Sequence, residues 1–505
     1  MARETDGRVN RRIRQLAVGL MALYVVLFAA LNHWQLRSTE RLAANADNTR
    51  ALIRQYERPR GDIVTADGTV IARSTRPLDG STTTTGGYRR EYPGGDLYAH
   101  ITGHHSLRLG STQLERLWGD ELTGDTLGQQ LQALTDLIGG TATDTSGTVI
   151  TTIRDDLQHT ARDLLGEREG AIVMLDIRTG AVIALWSWPS YDPNIVVDPD
   201  YDTAKAYIDT LNADPRDPLL ANTYQQRYMP GSTMKVITTA TALANGTITL
   251  DSTWPDEREW LPPQTDDPIQ NYGGSLCGGD LTGVFARSCN IPFAQMAVDM
   301  GPDAFALGAA AWGIGEPVPI DLPRPAASTI GDDLDTLDDN LPLLAMRGFG
   351  QNEVQLVPLH LAMITAGIAN DGAMMTPHVV DRVLDHTGDT IHVTTPTVWR
   401  EPITPDIAAT LTELMTEVAR TGTASCCIGL DGGVSVAAKT GTAQLNGPGE
   451  PERSHAWITA FAPVEEPRYA VVVMIEGTTD EISASTGGRL AGPIAKTLLD
   501  TALAN

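Results

Sequence analysis

"YMPGSTMKVI", Tyr228 to Ile237, decides how this chain reads. It contains one of only four lysines in 505 residues, at Lys205, Lys235, Lys439 and Lys496; nearly every other cation is arginine. Pro230-Gly231 supplies a break after which a helix can start at Ser232. A helix there puts Ser232 and Lys235, at i and i+3, on one face a turn apart. Backbone N–H groups at such a start point outward, and the dipole favours developing negative charge. A serine hydroxyl is a weak nucleophile until a base takes its proton. Lysine can be that base when burial and a neighbouring cation depress its pKa. Arginine cannot, because it does not deprotonate in proteins.

A lone S-x-x-K is a weak signal. Here it is followed by Ser288-Cys289-Asn290 in "ARSCNIPFAQMA" and by Lys439-Thr440-Gly441-Thr442 in "AAKTGTAQ". Two of the four lysines therefore fall in two of three motifs, in the order S-x-x-K, S-x-N, K-T-G.

Around these motifs the pattern is α+β. "GAIVMLDIRTGAVIALWSWPSYDPN", Gly170 to Asn194, predicts a β-hairpin with its turn at Arg178-Thr179-Gly180. Its strands are apolar on both faces and need cover on both sides. Helical stretches follow at Met234 to Ala244, Phe285 to Met300 and Leu356 to Ala369. "SVAAKTGTAQ", "HAWITAFAP" and "YAVVVMIEG" read as late strands. Strands first and last with helices between predict a mainly antiparallel sheet. Upstream, "ERPRGDIVTADGTVIARS", Glu57 to Ser74, carries a hairpin signal at Asp67-Gly68. Gln35 to Glu57 reads as a helix, Ser81 to Gly87 as a loop, and Ile153 to Leu165 as a helix. "GDDLDTLDDN", Gly331 to Asn340, lacks the glycine and closing glutamate of a calcium loop and reads as a solvated acidic loop. His104-His105 reads as part of a loop or hairpin. His455 and Trp457 read as supports of the K-T-G strand.

The net charge of −26 argues against a nucleic-acid partner. Near the N-terminus, Arg3, Arg8, Arg11, Arg12 and Arg14 precede "LAVGLMALYVVLFAALNHW", Leu16 to Trp34. At about 1.5 Å per residue the run spans roughly 28 Å, close to a hydrocarbon core. The arginines favour a cytoplasmic N-terminus, with the rest of the chain outside. The alternative, a cleaved signal peptide, wants a shorter apolar region and small residues before the cut, and Phe28 stands at −3 for cleavage after Ala30. Cys277, Cys289, Cys426 and Cys427 all lie beyond this run, where disulfides are permitted. Their spacing is wrong for zinc, and nothing calls for a cofactor or metal. "GGSLCGGD" is a flexible loop, so Cys277 paired with Cys289 would tie it to the edge of the S-x-N motif. Cys426 and Cys427 are adjacent and can pair or stay free.

The ordered motifs resemble those of the penicillin-interacting serine enzymes. "RGDIVTADGTVIARS" is similar to the opening of the external part of class B penicillin-binding proteins. The Gly170 hairpin and "HAWITAFAP" are similar to strands of their transpeptidase domain, and the short actinobacterial type matches best. The resemblance implies a cytoplasmic tail (1–15), a single transmembrane anchor (16–36), a smaller pedestal domain of dimerisation type (37–165) and a β-lactamase-like transpeptidase domain (166–505). It implies that Ser232 attacks the carbonyl between two D-alanines of a peptidoglycan stem peptide and that Lys235 takes its proton. Ser288 would pass a proton to the leaving amine, and Asn290 would bond Lys235 and the substrate amide. Lys439 would keep the site cationic, while Thr440 and Thr442 bind the terminal carboxylate. Gly441, without a side chain, would let substrate lie along the strand. N–H groups of Ser232 and Thr442 would form the oxyanion hole. β-Lactams would trap Ser232, and the partner implied is a membrane glycan polymerase.

Three rivals share parts of this pattern. A D,D-carboxypeptidase would release the acyl group to water. A β-lactamase would need a base for deacylation, and no clear E-x-x-x-N element lies between Asn290 and Lys439. A β-lactam sensor would need a large cytoplasmic portion, and fifteen residues precede Leu16. A second, glycosyltransferase domain would not fit in the roughly 130 residues ahead of the Gly170 hairpin.

Overall fold

The computed structural model describes residues 4–43, 58–76, 87–126, 128–129, 145–332, 334–446 and 453–504. The C-terminal part of the helix expected over Gln35 to Glu57, and the loop expected at 81–86, lie outside these residues. The chain divides into two units. The first contains one long helix, Glu4–Ala43. Its stretch Arg11–Asn32, with mean hydropathy 1.9, is long and apolar enough to cross a membrane.

The second unit is built on two sheets. The larger domain holds five antiparallel strands in the order Ala437–Gln444, Ser454–Ala462, Tyr469–Ile475, Gly170–Asp176, Val182–Trp188. The hairpin turns where expected, with Gly180 at φ +76°. The central strands are buried on both faces. Helices Pro358–Ala369 and Pro405–Arg420 pack against the sheet, as do Asp155–Leu165 and Gly492–Ala504. Pro358–Ala369 is buried along almost its whole length, so it is apolar all round rather than on one stripe.

The second sheet has six strands, in the order Thr390–Val393, Val380–Leu384, Thr148–Thr151, Ile63–Val64, Val70–Thr75, Arg89–Glu91. The Asp67-Gly68 hairpin lies in it. The two strands between 380 and 393 come from far along the chain, so a division at residue 165 follows the sequence but not the sheet. Under this sheet Glu115 is fully buried between the guanidinium groups of Arg60 and Arg90, and Tyr92 donates to it at 3.2 Å. Those cations hold the Glu115 carboxyl down at about 2 against the opposing effect of burial.

Two expectations need correction. Phe285 to Met300 is not one helix. Leu281–Ala286 ends, and a new helix, Ile291–Ala311, begins after four residues. The break is made by Ser288, whose φ of +59° lies in the left-handed region, a conformation rare outside glycine. The acidic stretch at 331–340 is not a plain solvated loop. Leu334–Asp339 forms a 3₁₀ turn that buries Leu337 in the core. His105 pairs with Ser111 in a small hairpin, as expected.

Candidate active site

Ser232 sits in a 3₁₀ turn, Gly231–Met234, which runs into the helix Lys235–Ala244. The tight winding, three residues per turn, stacks i and i+3 directly, so Ser232 and Lys235 project on one side. Two glycines seat this turn. Gly231, at φ +54°, donates its N–H to the Gly350 carbonyl at 3.0 Å, and a Cβ there would lie 2.5 Å from the Thr442 carbonyl oxygen. Gly441 meets the turn from the strand side. A Cβ on Gly441 would lie 2.6 Å from the Pro230 carbonyl oxygen and 3.0 Å from Thr233 Cγ2. Its bare backbone therefore packs closely against the turn that carries Ser232.

The lysines converge. Lys235 Nζ donates to the Ser288 carbonyl at 2.8 Å and to Asn290 Oδ1 at 2.9 Å, with Ser288 Oγ at 3.3 Å. Lys439 Nζ donates to Ser288 Oγ at 2.8 Å and to the Thr440 carbonyl at 3.1 Å. Both lysines are fully buried. Each ammonium lies near an aromatic ring, Lys235 5.2 Å from Phe293 and Lys439 5.7 Å from Phe285. Burial, and then the Lys439 charge, hold Lys235 well below the usual lysine range. Burial brings Lys439 down to about 7. The left-handed turn at Ser288 matters here, because it presents both the carbonyl and the hydroxyl of one residue to the two lysines.

Of the expected carboxylate binders, Thr440 is buried and shares a 2.5 Å hydrogen bond with the Thr423 hydroxyl. Thr442 is half-buried one position past Gly441. Trp457 donates its ring N–H to the Met229 carbonyl at 3.0 Å, and His455 stacks edge-on against Tyr228. Both lie on the strand paired with the K-T-G strand, Trp457 opposite Gly441 and His455 opposite Ala443, and these contacts join it to the segment entering the turn. Cys277 and Cys289 are bonded, with Cα atoms 5.8 Å apart, and so are Cys426 and Cys427. Sequence reasoning missed Asn271 and Thr423. Asn271 is 2% exposed and bonds the backbone of Asn290 and Ile291. An asparagine beside Gly273-Gly274 reads as a turn residue, so no local signal marked it.

Two family models match the chain. Residues 170–500 match the penicillin binding protein transpeptidase domain, and residues 60–149 match the penicillin binding protein A dimerisation domain. The chain belongs to the penicillin-binding protein transpeptidases. Within this family it is 36% identical to the peptidoglycan D,D-transpeptidase PbpA of Mycolicibacterium smegmatis, over 98% of this chain and 99% of that one. It is 36% identical to PbpA of Mycobacterium tuberculosis over the same shares. The structure of penicillin-binding protein A from M. tuberculosis as a ceftriaxone acyl-enzyme superposes with a TM-score of 0.81 at 34% identity, covering 89% of this chain and all of that one. The three motifs of this penicillin-binding protein meet at one place, although they are spread over more than 200 residues of sequence.

Proposed function

We propose that this chain is a peptidoglycan D,D-transpeptidase that cross-links stem peptides through an acyl enzyme on Ser232 and is trapped by β-lactams. The observation that carries the reading is the pair of firm acceptors around Lys235. A neutral lysine amine has two N–H bonds and one lone pair. The Ser288 carbonyl and Asn290 Oδ1 take the two N–H bonds. The lone pair is left for the Ser232 hydroxyl one turn away. Burial and Lys439 favour that neutral form.

The steps follow from these positions. Lys235 accepts the Ser232 proton as Oγ adds to the carbonyl carbon of the penultimate D-alanine. Charge develops on the carbonyl oxygen, where the N–H groups of Ser232 and Thr442 act as donors. The close seating of Gly231 on Thr442 supports that pairing. Ser288 Oγ accepts from Lys439 and lies 3.3 Å from Lys235 Nζ, so its own proton passes to the departing D-alanine amine and is replaced by the proton Lys235 took from Ser232. Lys439 supplies positive charge for the terminal carboxylate, with Thr440 and Thr442 at its side. An acceptor amine from a second stem peptide then takes the acyl group, and the protons retrace their path.

The same reading places the Arg11–Asn32 helix across the membrane, with the N-terminus cytoplasmic and the catalytic domain outside. The domains are then the tail 1–15, anchor 16–36, pedestal 37–165 and transpeptidase 166–505. A membrane glycan polymerase supplies the strands to be joined. The test is Ser232→Ala in the full chain. The variant folds, since one hydroxyl is removed, and does not label with fluorescent penicillin. Incubated with lipid-linked or polymerised peptidoglycan, the parent yields cross-linked dimers by mass spectrometry. Release of free D-alanine with no dimer would assign a carboxypeptidase instead.

A further inference from the structure

The helix Ile291–Ala311 begins without help from the side chain of its own cap residue. Asn290 occupies the cap position, yet it has helical angles (φ −89°, ψ −45°) and its side chain makes no bond to the helix backbone. An asparagine at a helix start ordinarily accepts from the N–H of the second or third helical residue; here the second is Pro292, and the Phe293 N–H goes to the Asn290 carbonyl at 3.1 Å. Here that side chain is occupied elsewhere. Oδ1 accepts from Lys235 at 2.9 Å and Nδ2 donates to the Gln270 carbonyl at 3.0 Å.

The N–H groups of Asn290 and Ile291, which enter the helix, go to Asn271, from the segment that precedes the disulfide loop. Its Oδ1 accepts from the Asn290 N–H at 2.8 Å and from the Ile291 N–H at 3.2 Å. Its Nδ2 donates to the carbonyls of Glu257 at 2.8 Å and Ser275 at 3.3 Å. All four hydrogen-bonding sites of the carboxamide are used, and the orientation is unambiguous. A flipped amide would set N–H against N–H and oxygen against oxygen at every contact. The Cys277–Cys289 bond ties the same segment to the residue before Asn290.

We infer that Asn271 is a positioning residue for acylation. It pins the backbone of Asn290 and Ile291, which holds the Asn290 carboxamide facing Lys235. Without Asn271, the N–H groups of Asn290 and Ile291 lose their acceptor, the backbone that carries the Asn290 side chain shifts, and one of the two acceptors that orient the lysine amine is displaced. The inference rests on the reading that Lys235 activates Ser232.

The test is a double-mutant cycle on the full-length protein in detergent, read as the acylation rate by a fluorescent penicillin in stopped flow. Asn271→Ala is expected to slow acylation by about 100-fold, the cost of misplacing a catalytic group by about 1 Å. Asn290→Ala slows it by a similar factor. The double variant should match Asn290→Ala within about 2-fold, because Asn271 acts only through Asn290. Additive losses would show a merely structural role and overturn the inference, as would parental acylation by Asn271→Ala. Thermal melts establish folding for each variant. If Asn271→Ala does not fold, Asn271→Ser, which keeps an acceptor oxygen on a shorter arm, goes through the same cycle with the same outcomes. Ser232→Ala separates the two layers. Labelling that survives in it overturns the function itself, whereas lost labelling with an additive cycle overturns only the role of Asn271.

Discussion

Lys439 Nζ stands 2.8 Å from Ser288 Oγ, the same oxygen that lies 3.3 Å from Lys235 Nζ. Two buried lysines thus share one serine hydroxyl. Two ammonium groups so placed repel, and burial penalises both charges. The arrangement favours one proton between them, and Lys235 is the lysine that both burial and the neighbouring charge push down. The S-x-N serine is the bridge through which the lysine one turn from Ser232 and the lysine on the strand influence each other.

Replacement of Lys235 by arginine keeps the charge and removes the proposed base. A guanidinium stays protonated above about 12. Lys235→Arg should slow β-lactam acylation at least ~100-fold, the low end for a lost general base. Lys205 and Lys496 are surface residues paired with Asp209 and with Asp431 and Asp500, so Lys205→Arg and Lys496→Arg should acylate at the parent rate. Stopped-flow labelling of the three variants decides it. Parental acylation by Lys235→Arg would remove lysine from the mechanism.

Lys439→Met tests the shared hydroxyl through pH. The Lys439 charge lowers the Lys235 pKa, so its removal raises that pKa. The rising limb of acylation against pH, which follows loss of the Lys235 proton, should move to higher pH. The plateau should fall by about 100-fold with the lost proton path. Stability gives a second readout. Unfolded, Lys439 holds its proton to about 10.4; folded, to about 7. Between those values unfolding takes up a proton, so the parent gains stability as pH rises. Below about 7 both states are protonated and the penalty is fully present. Chemical denaturation at pH 6.5 and 9.5 should therefore show the parent gaining on Lys439→Met at the higher pH. A parent that loses ground to Lys439→Met at the higher pH would contradict the assignment.

The central sheet was legible because its strands are long apolar runs with a glycine turn, and the three motifs because lysine is so rare in this chain. The joint between helices at Ser288 was not legible. Arg-Ser-Cys-Asn contains no glycine or proline, and the left-handed residue at Ser288 is met only by tertiary contacts, among them its bonds to the two lysines. The strands at 380–384 and 390–393 gave no sign that they complete a sheet begun near residue 63, because pairing across 230 residues leaves no local pattern. Asn271 was hidden for the same reason. Its role depends on a helix nineteen residues away.

Both disulfides should be found by peptide mapping without reduction, Cys277 with Cys289 and Cys426 with Cys427. Cys277→Ser should lower stability by ~2–3 kcal/mol in the chain-entropy view of so short a loop. It should also slow acylation, because the bond holds the residue between Ser288 and Asn290. A free thiol at Cys277 in the oxidised protein would refute the pairing.

Gly441→Ala distinguishes two reasons for a glycine in the K-T-G strand. If substrate needs the space, the variant should melt like the parent and fail only in acylation. The contacts point elsewhere. The new methyl would meet the Pro230 carbonyl oxygen at 2.6 Å, Thr233 Cγ2 at 3.0 Å and Trp457 Cβ at 3.1 Å. Two of these belong to the segment that carries Ser232, and the backbone atom among them cannot rotate away. Overpacking of this kind costs about 1–3 kcal/mol. Relief by a shift of the turn moves the nucleophile, and a displacement of about 1 Å costs up to ~100-fold in rate. Gly441→Ala should therefore lose stability and acylation together. Gly429→Ala is the control, since a Cβ there meets nothing within 4 Å; its stability should stay within about 0.5 kcal/mol of the parent and its acylation should be unchanged. A Gly441→Ala variant with a parental melting curve and no acylation would return the space to the substrate.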